Sequence, residues 1–368
     1  MRGLAGYPFV FPLMFSSAIA AALLLAGCGM DRTPPVNTRH TQPLSDKVLA
    51  ELDAKSMSAH SAILLRIFKE ESELEVWKEN NTGRFELLRT YPICRWSGEL
   101  GPKIKVGDRQ APEGFYTITP ALMNPNSSYY LAINTGFPNA YDKANGSTGA
   151  FLMIHGDCAS VGCYAMTDEQ IADIYALARD SFLGGQNSFQ IQAYPFRMTP
   201  MNIAKHRDSP HVEFWKMLKQ GYDHFEVTHH APKVDVCDSR YVFDAEASAE
   251  FTPVAPCPVY KVQEEIEAAV RERQRRDEFE IARLIKMGVP TTTSTNTGQG
   301  GMHRIFQTAL AQAGAGVAIR TPAGTIPAHA HPPSLSGRGE ESDLSSPETD
   351  ATASPRVVDG DRFGASLD

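Results

Sequence analysis

The sequence has no excess of basic residues and almost no long apolar runs. Its 35 basic residues are outnumbered by 43 acidic ones, which gives a formal charge of −8 at pH 7. A nucleic-acid-binding protein needs surplus Lys and Arg to neutralise phosphates, so no nucleic acid is expected as a partner. One apolar run, at 7–26, is long enough to cross a bilayer, which excludes a multi-pass membrane protein. The 368 residues, 42% of them hydrophobic, suffice for one or two folded units with tails.

The apolar run ends at a cysteine that is typical of a lipid anchor. Leu25 is followed by the small residues Ala26 and Gly27 before Cys28, and a polar, proline-rich segment comes next. This pattern resembles a bacterial lipoprotein signal, in which the chain is cut before the cysteine and the thiol takes a lipid. We therefore predict a signal peptide at 1–27 and a lipid anchor at Cys28, with an uncleaved transmembrane helix as the alternative. Gly29 favours the outer membrane, so the mature chain would face the periplasm.

Cysteine is scarce, and its count is odd once the anchor is set aside. Five cysteines remain: Cys94, Cys158, Cys163, Cys237 and Cys257. An oxidising compartment would normally pair them, so at least one thiol must stay free or pair with another chain. Cys237 and Cys257 flank a short polar segment and could be bridged, although spacing alone does not fix the connectivity.

The composition changes along the chain and divides it into regions. We predict, in order, a signal peptide at 1–27, a tether at 28–43, a short helix at 44–60, a folded domain at 61–230, an extension with a charged helix at 231–289 and a disordered tail at 290–368. The tail is rich in Thr, Ser, Gly, Ala and Pro, and it has too few large apolar residues to offset the entropy of ordering.

The folded domain is rich in strand patterns, and helices come late in the chain. Strands are predicted at 62–68, 74–77, 85–88, 114–119, 129–135, 150–154 and 188–193, and helices at 167–178, 212–218 and 262–286. The Asn-Asn-Thr-Gly sequence at 80–83 supplies a hairpin turn between the second and third strands. Mostly strands with a few added helices favour a mainly β fold of the α+β class, a sandwich or barrel, over alternating strands and helices.

The residue types needed for covalent chemistry concentrate between His155 and Cys163. His155 follows an apolar strand, and Cys163 follows a turn of small residues that includes Ser160 and Gly162. A thiol becomes a strong nucleophile when a neighbouring imidazole takes its proton. We therefore predict a cysteine enzyme with a low thiol pKa at Cys163. Ser160 and Gly162 are the predicted loop or oxyanion-hole positions.

A second nucleophile and a metal site are the alternatives at this segment. Cys158 is a rival thiol, but no glycine turn precedes it, and a structural thiol or a bridge to Cys94 is favoured. Imidazole and thiolate bind zinc, so His155, the cysteines and the pair His229-His230 could form a site. Because the cysteines lack the spacing of a zinc knuckle and the other histidines lie far along the chain, no metal and no cofactor are predicted.

Short motifs follow one another here in a characteristic order. A His-Gly pair at 155–156 precedes a Ser-x-Gly-Cys motif at 160–163, and a Pro-x-Gly-x-Tyr motif lies upstream at 112–116. With these motifs the chain resembles the YkuD-type L,D-transpeptidase family. The stretches at 137–142 and 194–198 are similar to a YafK-like branch of that family.

Two positions depart from the family pattern. The histidine that usually lies two residues before the nucleophile is Val161, and the arginine that commonly lies two residues after it is Ala165. The absence of that arginine indicates a changed donor or acceptor rather than a lost nucleophile.

The resemblance implies a YkuD-like β-sandwich over 61–230 and a cell-wall enzyme. In such an enzyme Cys163 would attack the carbonyl at the L-centre of meso-diaminopimelate in a peptidoglycan stem peptide. His155 would act as general acid and base, and the main-chain carbonyl of Gly156 would orient its imidazole.

The resemblance also implies the partners of the enzyme. Tyr141 and Arg197 are the expected substrate contacts, and peptidoglycan is the expected partner. A relative in the YafK-like branch is an amidase that releases murein-bound lipoprotein, so such a lipoprotein is a further expected partner. Transfer of the acyl group to an amine would instead make the enzyme a transpeptidase. An alternative from another class is a non-catalytic tether, in which the fold binds murein and the lipid holds the membrane.

Overall fold

The computed structural model describes residues 37–292, 300–313, 319–321 and 324–326. The predicted signal peptide, Cys28 and the first part of the predicted tether lie outside the described residues, as does most of the predicted disordered tail. None of the described helices is both long and apolar enough to cross a membrane.

The secondary structure combines short strands with a few longer helices. The strands are, in chain order, β1 (Ile63–Phe68), β2 (Glu73–Glu79), β3 (Phe85–Pro92), β4 (Arg95–Trp96), β5 (Gly114–Ile118), β6 (Met123–Asn124), β7 (Ala132–Asn134), β8 (Met153–His155), β9 (Tyr164–Ala165), β10 (Phe189–Tyr194), β11 (Val234–Cys237), β12 (Arg240–Phe243), β13 (Glu246–Ala247), β14 (Tyr260–Lys261), β15 (Ile319–Thr321) and β16 (Gly324–Ile326). The α-helices are α1 (Asp46–Ala54), α2 (Ala140–Ala144), α3 (Asp168–Leu183), α4 (Pro200–Lys205), α5 (Val212–Thr228), α6 (Glu264–Lys286) and α7 (Arg304–Ala313). Short 3-10 helices lie at Arg39–Thr41 and Pro120–Leu122.

The first sheet has the strand order β3-β2-β1-β10-β5. Its central strand β1 runs antiparallel to β2 and parallel to β10, with Leu65 opposite Ile191. Every residue of β1 is buried, which explains why its sequence is an almost continuous apolar run. The predicted hairpin at 80–83 joins β2 to β3.

The second sheet has the strand order β4-β9-β8-β7-β6 and carries the predicted site. Strands β8 and β9 are parallel, with Ile154 opposite Tyr164 and His155 opposite Ala165. The other pairs in this sheet are antiparallel. The His-Gly motif at the end of β8 and the Ser-x-Gly-Cys motif just before β9 are therefore brought together.

One apolar core joins the two sheets. It combines Leu65 and Ile67 of the first sheet with Ile133 and Ile154 of the second, together with one face of α3. Helix α3 has Thr167 as its N-cap in a capping box, which satisfies main-chain donors at its first turn. Each fully buried aliphatic side chain stabilises the fold by roughly 1.5–3 kcal/mol. Two mixed sheets with several helices form an α+β fold, which confirms the predicted fold class.

The extension beyond 230 is attached to the domain by a hairpin and a long helix. Strands β11 and β12 pair with each other, and a disulfide joins Cys237 to Cys257, a bridge that the sequence allowed but did not fix. Helix α6 is the predicted charged helix. Its Arg273 donates to the fully buried carboxylate of Asp223 on α5 at 2.9 Å. The charged helix is therefore bound to the domain through an ion pair.

The end of the predicted tether is bound to the domain. The Asn37 side-chain amide donates to the Pro125 carbonyl at 2.7 Å. The Arg39 guanidinium lies 4.8 Å from the centre of the Tyr130 ring. The tether predicted at 28–43 is therefore shorter than its composition indicated. The composition could not show this, because the contacts are with residues far along the chain.

The region predicted as a disordered tail contains a folded segment. Gly301 exchanges two main-chain hydrogen bonds with Trp96, of 2.9 and 3.0 Å. Helix α7 follows, and its Phe306 is fully buried against Cys94 and Cys158. The prediction of disorder from residue 290 is wrong for this segment, because a few apolar residues at helical spacing are hidden in the average composition of a long polar stretch.

Candidate active site

His155 ends strand β8, and the main chain orients its imidazole. The residue is 3% exposed, and its Nδ1 lies 2.6 Å from the carbonyl oxygen of Gly156. A carbonyl can only accept a hydrogen bond, so Nδ1 carries the proton and Nε2 keeps a lone pair. The imidazole is therefore held in the tautomer that can take a proton at Nε2.

Gly156 lies where no side chain fits. A Cβ at this position would lie 2.5 Å from Asp168 Oδ1 and 3.0 Å from the Tyr129 carbonyl oxygen. The Gly156 N–H donates to that same carbonyl at 3.0 Å. The Tyr129 ring also packs on the imidazole of His155, with ring centres 4.7 Å apart. Sequence reasoning did not identify Tyr129, since no local motif links it to the histidine.

Cys163 directly precedes strand β9, which pairs with the strand that ends at His155. The register sets Ile154 opposite Tyr164 and His155 opposite Ala165, so the segment that carries the thiol runs beside β8. The Met153 N–H donates to the Cys163 Sγ at 3.4 Å. Cys163 is the one free cysteine of the described part of the chain.

Cys158, the alternative nucleophile, has no free thiol. Cys158 forms a disulfide with Cys94, which was one of the two interpretations that the sequence favoured. Its N–H donates to the Met166 carbonyl at 3.1 Å. The disulfide therefore fastens the connection between His155 and Cys163 to the rest of the second sheet.

Ser160 and Gly162 shape the turn before the thiol. The Ser160 hydroxyl accepts from the Cys163 N–H at 3.0 Å and donates to the Cys163 carbonyl at 2.6 Å. The Ser97 hydroxyl donates to Ser160 Oγ at 2.7 Å. Gly162 has a φ of +115°, which only glycine adopts without strain. Because Ser160 already engages the Cys163 N–H, the geometry favours a loop role for Ser160 over direct oxyanion contact.

Burial moves the pKa values of the thiol and the imidazole apart. Burial raises the pKa of Cys163, although the Met153 N–H and the Lys103 ammonium act against this rise. Burial also lowers the pKa of His155, although the hydrogen bond that its Nδ1 donates to the Gly156 carbonyl acts against this fall. The low thiol pKa expected from the sequence is therefore not supported. Both shifts favour an uncharged thiol and imidazole at neutral pH.

Tyr141 and Arg197 make contacts away from the thiol. The Tyr141 ring stacks on Tyr241, with ring centres 4.4 Å apart. The Arg197 guanidinium pairs with Glu73 at 2.6 Å and with Glu75 at 2.7 Å. The structure does not bring either side chain into contact with His155 or Cys163, and their role as substrate contacts stays a prediction.

A loop that sequence reasoning missed lies against the nucleophile turn. We call residues 103–109 the basic loop, since it contains Lys103, Lys105 and Arg109. A Cβ on Gly162 would lie 3.8 to 3.9 Å from the main chain of Arg109. The alternation of basic and apolar residues in this loop is a weak signal that does not reveal its position.

The alternative of a metal site has no support in the geometry. Within the described ranges, no group of three or more His, Cys, Asp or Glu side chains is arranged to hold a metal ion. The His229 imidazole instead bonds to the Phe85 carbonyl at 3.0 Å.

Comparisons with known proteins agree with the motifs of this site. Residues 64–218 match the L,D-transpeptidase catalytic domain, YkuD. Over 233 residues the chain is 42% identical to the provisionally named L,D-transpeptidase YafK of Escherichia coli strain K12, a match that covers 63% of this chain and 92% of YafK. YafK of Escherichia coli O157:H7 matches to the same extent. The chain belongs to the L,D-transpeptidase family. This confirms the resemblance drawn from the motifs.

Two solved structures show weaker similarity. A mutant of the helical cell shape determining protein Pgp2 from Campylobacter jejuni is 20% identical, with a TM-score of 0.31, over 52% of this chain and 65% of that chain. Bd1075 of Bdellovibrio bacteriovorus is 21% identical, with a TM-score of 0.27, over 38% of this chain and 49% of that chain.

Family membership sets the class of reaction and its compartment. The protein is an L,D-transpeptidase-family enzyme that acts on peptidoglycan. Peptidoglycan lies in the cell envelope, so the enzyme works there, on the periplasmic side.

Proposed function

We propose that Cys163 is the nucleophile of an acyl transfer at the L-centre carbonyl of meso-diaminopimelate in peptidoglycan stem peptides. The observation that carries this proposal is the pairing of strands β8 and β9, which brings the segment with the one free thiol of the described residues beside the strand that ends at His155. The hydrogen bond between His155 Nδ1 and the Gly156 carbonyl supports the role of His155 as the base.

The first half of the reaction forms a thioester. Nε2 of His155 takes the proton of the Cys163 thiol as Sγ attacks the carbonyl carbon, and a carbon–sulfur bond forms. The carbon–nitrogen bond then breaks, and the imidazolium gives its proton to the departing amine. Because both groups are uncharged at rest, proton transfer accompanies attack and no preformed ion pair is needed.

The second half resolves the thioester. Water or an amine gives a proton to Nε2 of His155 and attacks the thioester carbonyl, and the imidazolium returns the proton to the departing Sγ of Cys163. Attack by water makes the enzyme an amidase, for which murein-bound lipoprotein is the proposed substrate. Attack by a second diaminopimelate amine makes it a transpeptidase. Both outcomes use the same residues, so the product identifies the reaction.

A digest experiment tests this proposal. Sacculi with and without bound lipoprotein are incubated with the full mature chain or with Cys163→Ala, and the digests are analysed by mass spectrometry. Free lipoprotein ending in lysine, seen with the active enzyme alone, identifies an amidase. New direct cross-links between diaminopimelate residues identify a transpeptidase.

The same experiment separates the enzyme from a murein-binding tether. Thermal unfolding of Cys163→Ala serves as the control for an intact fold. If both forms gave identical digests and both stayed bound to sacculi, the proposed role of Cys163 would be wrong and the tether would be favoured.

A further inference from the structure

The basic loop lies beside the turn that carries the proposed nucleophile. Its Arg109 main chain is 3.8 Å from the position that a Cβ on Gly162 would take. Six residues before the loop, the Ser97 hydroxyl donates to Ser160 Oγ at 2.7 Å. The loop is therefore a neighbour of the turn, and the segment that leads to the loop is hydrogen-bonded to the turn.

Asp108 holds the basic loop in one conformation. Its carboxylate accepts the main-chain N–H groups of Ile104 at 3.0 Å, Lys105 at 2.9 Å and Gln110 at 3.0 Å. It also pairs with the ammonium of Lys103, which is buried. The positive charge of Lys103 is therefore committed to Asp108. A loop held in this way is ordered before any ligand binds, which reduces the entropy lost on binding.

Arg109 differs from Lys103 in its exposure and in its lack of a partner within the described ranges. It is exposed, and none of the described residues forms a hydrogen bond or an ion pair with its guanidinium. Its φ of +54° lies in the left-handed region, which is unfavourable for a residue with a side chain. The main chain of Arg109 lies beside the nucleophile turn, and among the described residues its guanidinium has no partner anion.

We propose that Arg109 is a specificity residue that binds a carboxylate of the peptide substrate beside the scissile bond. A guanidinium binds a carboxylate through two parallel hydrogen bonds, which favours it over a neutral amide. The inference rests on the proposed function, since that substrate carries a carboxylate on each side of the scissile bond. One is the D-centre carboxylate of diaminopimelate, and the other belongs to the departing amino acid.

Amidated substrates distinguish the two carboxylates. The full mature chain is assayed on three soluble muropeptides: one with both carboxylates free, one with a carboxamide at the D-centre and one with a carboxamide on the departing amino acid. We expect kcat/KM of the native enzyme to fall roughly 10- to 100-fold on one of the two amides. The amide that loses activity identifies the carboxylate that Arg109 binds.

Variants of the basic loop complete the test. Arg109→Gln should lose this discrimination by becoming slow on the free carboxylate, and Arg109→Lys should regain part of it. Lys105→Gln removes the same charge from the same loop and serves as the matched control that keeps the discrimination. The rate of Cys163 alkylation by iodoacetamide should be unchanged in all three variants, which shows that the nucleophile is intact.

The outcomes separate this inference from the proposed function. If the native enzyme cleaved none of the three muropeptides, the proposed function would be wrong. If it cleaved them and Arg109→Gln kept the discrimination, or Lys105→Gln lost it equally, the inference about Arg109 alone would be overturned.

Discussion

At the scale of single residues, burial should set the pH range in which the enzyme works. In the proposed mechanism the active form has a protonated Cys163 thiol and a neutral His155 imidazole. Activity is lost on the acid side when the imidazole is protonated, and its lowered pKa places this loss below the ordinary value of 6.5. Activity is lost on the alkaline side when the thiol proton is gone, and its raised pKa places this loss above the ordinary value of 9.0. We therefore expect a bell-shaped profile of kcat/KM against pH with a broad plateau.

Alkylation of the thiol checks the alkaline limb independently. The rate of iodoacetamide reaction at Cys163 should rise with a midpoint above 9.0, because burial disfavours the thiolate. Cys163→Ala should show no reaction and serves as the control. A midpoint well below the ordinary thiol value would mean that the resting site is an ion pair and that the mechanism proposed here is wrong.

The residues of the site differ in how far the sequence reveals them. His155 and Cys163 were identified because both belong to one local motif. Ser97, Tyr129 and Arg109 were not, because each reaches the site through the packing of a distant strand or loop. The spacing of residues within one motif predicts the candidate reacting groups of a site. The residues that surround those groups depend on contacts between distant elements, which no short motif predicts.

At the scale of elements, helix α7 protects the disulfide of the site. Phe306 is 0% exposed and packs on Cys94 and Cys158. We expect Phe306→Ala to lower the free energy of unfolding by about 3 kcal/mol, since it removes a fully buried aromatic ring. It should also speed the reduction of the disulfide by dithiothreitol, followed by thiol labelling and mass spectrometry. Reduction should then lower kcat, because the disulfide fastens the chain between His155 and Cys163.

A neighbouring residue of α7 provides the control. Thr308 is exposed on the same helix, and Thr308→Ala should change the free energy of unfolding by no more than about 0.5 kcal/mol. Equal rates of disulfide reduction in the Phe306 and Thr308 variants would show that α7 does not shield the bond.

Helices and strands can be predicted from the sequence where buried residues follow a regular pattern, and they are missed where only one or a few residues are buried. The apolar run of β1 predicts a buried strand because both of its faces are covered. The predicted helix at 212–218 is only the first part of α5, which continues to Thr228. The composition of the tail did not predict α7, because the helix is anchored by one fully buried ring, Phe306, which barely changes the average composition.

At the scale of the whole molecule, the predicted lipid anchor would limit how far the active site reaches from the membrane. Asn37 and Arg39 bind to the domain, and the Arg39 guanidinium packs on Tyr130, which adjoins the Tyr129 that covers His155. Nine residues, 28–36, separate Asn37 from the membrane if Cys28 carries the lipid. Whatever conformation they adopt, they can span at most roughly 30 Å. The side of the domain near His155 would then be held close to the membrane surface.

Removing the anchor should change where the enzyme is without changing its chemistry. We expect the native chain to fractionate with the outer membrane and to incorporate labelled fatty acid. Cys28→Ser, exported behind a cleavable non-lipoprotein signal peptide, should appear in the soluble periplasm. Its kcat/KM on soluble muropeptides should equal that of the native chain, because the substitution leaves the domain and the contact between Asn37 and Pro125 unchanged. Its action on intact sacculi in cells should extend to bonds farther from the membrane.

A native chain found in the soluble fraction and free of labelled lipid would show that Cys28 is no anchor, and the limit of about 30 Å on the reach of the active site would no longer apply.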